Sequence, residues 1–291
     1  MTNRLIAFLL ASLNMLGMAL PCDAADPWAD NVVSYLAGEA FDFGLNPPAK
    51  VPLTDFTIPA AALGEPARRT SNDDPIDVTV GADGMDDVVS IGEGGHLTVS
   101  FDEPVADDPN NPFGIDLLIF GNAFLFDFDL ATGAMDGRFD GVFSEDGILE
   151  VSSNGQDYVE VTNVVPDGIF PTRGYLDDTG TLPTDFTRPV DPNFDPLGHT
   201  LAEVQQGYGI SGGGFGVDLA DVGLPSITHV RISNPLVTEP GQTFSITPEI
   251  DAIVDVATVP EPTSLALASA SIAWFFRRRV PVGHRQPRID G

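Results

Sequence analysis

Apolar and polar residues alternate through His96-Leu97-Thr98-Val99-Ser100-Phe101. Leu97, Val99 and Phe101 then share one face, which predicts a half-buried β-strand. Ile115 to Phe120 is a near-continuous apolar run, the pattern of a short strand covered on both faces. Ile148 to Ser152 and Tyr158 to Val161 flank Ser153-Asn154-Gly155-Gln156-Asp157, and an Asn-Gly pair between two such runs predicts a hairpin. Ile227 to Ser233 and Ile250 to Val256 alternate again. Phe124, Phe126 and Phe128 also alternate, with core packing expected for the phenylalanines and solvent for Asp127 and Asp129. No long segment carries a 3.6-residue period; Val32 to Leu36 and Ala202 to Gln206 read at most as short helical turns. Residues 163–199, rich in Pro, Asp and Thr, read as a long surface excursion. The pattern predicts an all-β chain, an antiparallel β-sandwich of jelly-roll type with long loops.

Composition agrees. Thirty Gly and 25 Pro in 291 residues disfavour a helical bundle, and 43% hydrophobic residues supply enough apolar mass for a core. The formal charge of -30 excludes general attraction to nucleic acid, whose phosphates would repel the chain.

Both ends read as addresses. Arg4, the apolar run Leu5 to Leu20, Pro21 and the small residues Ala24 and Ala25 have the order of a secretory signal peptide over residues 1–25. Cys22, the one cysteine, falls inside it, so no disulfide framework is expected. At the other end Val259-Pro260-Glu261-Pro262 precedes the apolar stretch Thr263 to Phe276, closed by Arg277-Arg278-Arg279. As a helix that stretch covers about 21 Å, short of a hydrocarbon core of roughly 30 Å. The arginines can snorkel and hold their end cytoplasmic. Residues 26–258 between the addresses hold nearly all the acidic residues and seven basic ones: Lys50, Arg68, Arg69, Arg138, Arg173, Arg188 and Arg231. Charge thus separates an acidic exported body from a basic stub.

The tail over 259–279 resembles the PEP-CTERM sorting domain of bacterial surface proteins: motif, hydrophobic helix and basic cluster occur in order. The resemblance implies an exosortase-type membrane enzyme as partner, processing near the motif, a membrane helix that anchors the chain at least transiently, and delivery to the envelope or surface in bacteria that make exopolysaccharide. Residues 280–291, with Arg285 and Arg288, extend past the point where such proteins usually end.

The body is similar, over roughly residues 80–257, to bacterial cell-surface proteins with a jelly-roll, galactose-binding-like domain. The likeness rests on Gly94-Gly95 followed by His96 to Asp102, on Ile119-Phe120-Gly121-Asn122-Ala123-Phe124 (with Gly121 in place of a Glu), on Glu150 to Tyr158, on Gly213 to Leu219 and on Glu249 to Ala252.

Hard oxygen donors are plentiful: Asp73, Asp74 and Asp77; Asp83, Asp86 and Asp87; Asp107, Asp108 and Asn110; Asp127 and Asp129. Such loops suit calcium, which takes six to eight oxygens. The jelly-roll resemblance implies a structural calcium at Asp83, Asp86 and Asp87 with Glu249 or Asp251. No EF-hand loop fits, since Ala131 and Arg138 stand where ligands are needed. Gly207 to Gly212 matches G-x-G-x-x-G, and Gly209 to Gly213 matches G-x-S-x-G around Ser211, but neither has its strand-turn-helix context. The four histidines show no zinc spacing. Trp28, Tyr35, Tyr158, Tyr175, Tyr208 and, after core packing, Phe124 to Phe128 are candidates for a sugar-stacking platform. The reading is an exported, sorted, non-catalytic surface or matrix module with glycan contact; the alternative is a secreted glycan-active hydrolase.

Overall fold

A computed structural model describes residues 26–42, 44–45, 49–129, 132–162, 165–235 and 247–256. The signal-like segment, the Val259 to Pro262 motif, the apolar stub and Arg277 to Arg279 lie outside them. Among the described residues no helix is long and apolar enough to cross a membrane.

The chain is mostly strands in antiparallel sheets. β1 (Asn31–Leu36), β5 (His96–Ala106), β12 (Ser226–Ser233), β9 (Ile148–Ser152) and β10 (Val159–Val161) form a five-stranded sheet in that order. β11 (Phe215–Val217), β6 (Leu117–Gly121), β13 (Glu249–Asp255) and β4 (Val89–Ser90) form a four-stranded one. Two hairpins pair β2 (Glu39–Asp42) with β3 (Ala49–Pro52) and β7 (Phe124–Phe126) with β8 (Gly141–Phe143). The α-helix α1 (Leu201–Tyr208) packs Val204 and Tyr208 into a cluster with Leu125 of β7 and Phe139 and Phe170.

One core receives side chains from both large sheets. Leu97 and Val99 of β5, Leu149 and Val151 of β9 and Val230 and Ile232 of β12 meet Leu117 and Ile119 of β6, Val217 of β11 and Ile250 and Ile253 of β13, all buried. Alternation therefore sets which face points inward. β6 is buried at all five positions, because Leu118 and Phe120 fill a second cluster on its other face with Phe186, Ala252 and Val254.

The 153–157 turn joins β9 and β10 as expected, with Tyr158 extending the connection to six residues. Gly155 alone takes positive φ (+70°), and Asn154 acts through its side chain, whose Oδ1 accepts from the N–H groups of Gln156 (2.8 Å) and Asp157 (2.9 Å).

Three local expectations are corrected. Val32 to Leu36 is strand, since β5 offers an unpaired edge and β-branched Val32 and Val33 suit it. The Phe124 to Phe128 alternation has the opposite parity: Leu125 is buried, Phe124 stacks on Phe143 at 5.1 Å near the surface, and Phe128 is exposed. Both parities are apolar in that stretch, so periodicity alone does not choose between them. Residues 165–199 lack regular structure yet are no surface excursion: Asp167, Phe170, Thr172, Arg173, Thr184, Phe186 and Val190 are buried. Arg68 pins this segment, donating to the carbonyl of Gly174 at 2.6 Å and lying 4.1 Å from the Phe186 ring centroid.

The expected turn at 202–206 is part of α1. Thr200 caps it, its hydroxyl accepting from the Glu203 N–H while the Glu203 carboxylate accepts from the Thr200 N–H at 2.8 Å. Val204 and Tyr208, one turn apart, are its buried side.

Candidate functional site

An open cleft of about 620 Å³ lies on the outer face of the five-stranded sheet. Its floor follows from strand register. Thr98 pairs with Ser34 on one side and with Arg231 on the other, and Arg231 pairs with Glu150. Their strand neighbours Leu97, Val99, Val230, Ile232, Leu149 and Val151 point into the core, so this polar row faces outward. Arg231 binds Glu150 through two nitrogens, Nε to Oε2 at 2.6 Å and Nη2 to Oε1 at 2.7 Å, and its guanidinium lies 3.9 Å from the Tyr158 ring centroid. The fork holds the guanidinium plane against the ring, an arrangement a lysine could not make. Bonding to Glu150 raises the Arg231 pKa above its usual value; burial, ahead of Glu150, raises that of Tyr158. His96 and Ser233 complete the lining. The result is a shallow surface of one aromatic ring, a fixed donor–acceptor pair and several hydroxyls.

The other aromatic candidates are used elsewhere. Tyr35 donates to the Ser90 carbonyl at 2.8 Å, Tyr208 is buried and donates to the Pro171 carbonyl at 3.2 Å, and Tyr175 sits beneath Arg69 at 5.1 Å. Trp28 bridges to Val254 on β13 and lines a separate cleft with Arg68 and Phe186.

The five carboxylates expected to hold calcium do not converge. Both Asp251 oxygens accept from the Ala67 N–H, at 3.0 and 3.1 Å. Asp83 faces Ser71 instead, accepting from its N–H at 2.6 Å and its hydroxyl at 3.1 Å. Asp87 is raised by burial first, then by Asp83 and Asp86, and Asp251 is raised well above the carboxylate range by burial with Asp87 adding to it. Glu249 turns to Ser90 Oγ (2.6 Å) and to Asn122 Nδ2. The register shift in β13 between Ile250 and Ala252 breaks the simple alternation that would set Glu249 and Asp251 side by side. Among the described residues these five are not the acidic side chains that lie close enough together to share one ion.

Near Glu249 a second acidic group is buried. Asp167 accepts from the Ala123 N–H at 3.0 Å; burial raises it well above the carboxylate range, with Glu145 and Glu249 adding to the shift. Burial likewise pushes Glu145 to about 7. Among the described residues, the three acidic side chains close enough together for one cation are Asp107, Asp116 and Asp218. Of these the loop composition flagged only Asp107. Asp116 and Asp218 reach it from positions next to β6 and β11, and no local pattern announces them.

The two glycine motifs also resolve. Gly207-Tyr208-Gly209 ends α1 instead of opening a helix, with Gly209 as its C-cap, so no helix N-terminus is available to a phosphate. Ser211 is buried, and its hydroxyl donates to the Arg188 carbonyl at 2.6 Å and accepts from the Gly213 N–H. Among the described residues no hydrogen bond joins it to Asp218 or His229.

Compared with models of known protein families and with curated proteins, the chain matches none.

Proposed function

We propose that the chain is an exported cell-surface or matrix protein, sorted through its C-terminal tag by an exosortase-type enzyme, whose body is a non-catalytic module that contacts glycan. The body is read as a jelly-roll sandwich. The observation that supports glycan contact best is the sheet-face cleft, where the Tyr158 ring, the Arg231–Glu150 fork and the hydroxyls of Ser34 and Ser233 lie on one accessible surface, with Thr98 buried beneath them. Sugars present C–H faces to aromatic rings and vicinal hydroxyls to such donor–acceptor pairs. The strongly acidic body favours a neutral polysaccharide over an acidic one.

On a glycan array the full chain is expected to bind neutral polysaccharide without releasing sugar. Tyr158→Ala and Arg231→Ala should each weaken binding about ten-fold, a loss of about 1.4 kcal/mol. Equal binding by both variants and the wild type would remove the cleft from the proposal, and release of reducing sugar would favour the hydrolase alternative. Sorting has its own test. Replacing Arg277, Arg278 and Arg279 by Ala is expected to shift the protein from the envelope fraction to the medium or to degradation. Recovery of the unprocessed wild-type chain in the cytosol would overturn export.

A further inference from the structure

We infer that Asp107, Asp116, Asp218 and Asn111 form a calcium site that ties the loop between β5 and β6 to the turn after β11. The three carboxylates each place an oxygen within 4.8 Å of the others. Two oxygens bound to one calcium at about 2.4 Å can be at most about 4.8 Å apart, and each pair of these carboxylates meets that limit, so small side-chain adjustments bring all three onto one ion.

Asn111 points to a ligand independently of that grouping. It is 5% exposed, and its amide Nδ2 donates to Asp116 Oδ1 at 2.9 Å, which places the amide at the cluster. Its Oδ1 is buried with no hydrogen-bond partner. An orphaned amide oxygen is costly to bury, and a cation would relieve that cost. To reach the ion the amide makes a half-turn that gives up the Nδ2–Asp116 bond and sets Oδ1 toward the carboxylates, an exchange that a cation between them makes favourable.

The frame is rigid. Asp116 is fully buried and accepts from the N–H of Asp108 (3.0 Å) and of Leu219 (3.0 Å) besides Asn111. Asp218 caps the 3-10 turn Leu219–Val222, accepting from the Ala220 N–H at 2.8 Å. Asp107 is exposed and leaves a route for the ion. Among the described residues none of the three acids has a basic partner, and Asp255 on β13 adds a further negative charge beside Asp116. An all-oxygen, acid-rich set with room for water suits calcium better than zinc, which favours nitrogen and sulfur, or magnesium, which demands a tighter octahedron.

The test is titration of the full chain with calcium chloride after EDTA treatment and desalting, read by calorimetry and by thermal melting. One saturable site per chain is expected, with a dissociation constant on the order of 10⁻⁴ to 10⁻³ M, as in extracellular calcium modules. Melting should rise by several degrees at saturation. Asp218→Asn and Asp107→Asn are each expected to weaken binding at least about ten-fold and to abolish the melting shift. Asp107 is exposed, so its variant keeps the test sound if the other does not fold. Asp127→Asn, in a distant acidic loop, should behave as the wild type. The proposal is overturned if calcium changes nothing, if magnesium chloride gives the same shift, or if both site variants respond as the wild type does.

Discussion

Lowering the pH from about 8 to about 5, with EDTA present throughout, is expected to raise the melting temperature of the protein by about 5 °C, the opposite of ordinary acid lability. The cause is a set of buried carboxyls whose folded-state pKa lies above the unfolded value. Burial raises Glu145 from 4.5 to about 7, with Glu249 facing it, and raises Asp167, which faces Glu145 and Glu249. It also raises Asp251, which faces Asp87. A raised acid binds its proton more tightly when folded. Its contribution is therefore fully present below the unfolded value and is lost as the pH climbs through the folded one. For Glu145 that window runs from 4.5 to about 7. The charge of -30 works in the same direction, since protonation relieves self-repulsion. Asp177 and Glu203 oppose the trend. Hydrogen bonds from Thr179 and Thr181 lower the first, and those from Thr200 the second; the first is half-buried and the second exposed, and their contributions fade only at the acid end. Glu145→Gln should flatten the profile between about 5 and about 7. Melting that falls steadily as the pH drops through this range, in wild type and variant alike, would sink the explanation.

Phe120→Ala is expected to cost about 3 to 5 kcal/mol and to lower the melting temperature by about 10 °C. Phe120 is fully buried and meets Phe186 edge-on at 5.2 Å and 72°. It is where the four-stranded sheet grips the irregular 165–199 segment. Gly214, at φ +88°, lets the chain pass so close that a Cβ there would lie 2.9 Å from the Phe120 ring. The cavity left by truncation cannot be filled by a glycine neighbour, so relaxation is limited and the cost sits high in its range. Phe128→Ala, at an exposed position, should change stability by less than about 0.5 kcal/mol. Equal effects from the two substitutions, measured by denaturant unfolding, would contradict the assigned packing.

The contrast between Phe120 and Phe128 shows what could be read without coordinates. β5, β9 and β12 stand where the alternation of Leu97, Val99, Leu149, Val151, Val230 and Ile232 puts them, because burying one face of a strand imposes a two-residue period on its sequence, whereas β6 and β13 are buried along both faces. Where both parities are apolar, as in Phe124-Leu125-Phe126, the period carries no sign, and packing against Val78, Phe139, Phe170 and Val204 chose Leu125. The 165–199 segment was legible as irregular but not as buried. Proline and aspartate report the absence of a ladder, whereas its burial comes from a few well-spaced aromatics and from Arg68 and Arg173 bonding backbone carbonyls.

Taken alone, the sequence determined the all-β class, the inward faces of the long strands, the 153–157 hairpin and the acidic character of the body, since each follows from residues near one another in the chain. The tertiary structure decided which carboxylates meet. Asp83, Asp251 and Glu249 each took backbone and side-chain partners of their own, while Asp116 and Asp218 were brought to Asp107 by the antiparallel pairing of β6 with β11. Convergence between positions some hundred residues apart, such as the Asp116–Leu219 bond, depends on sheet register and loop closure. It leaves no period or spacing in the local sequence.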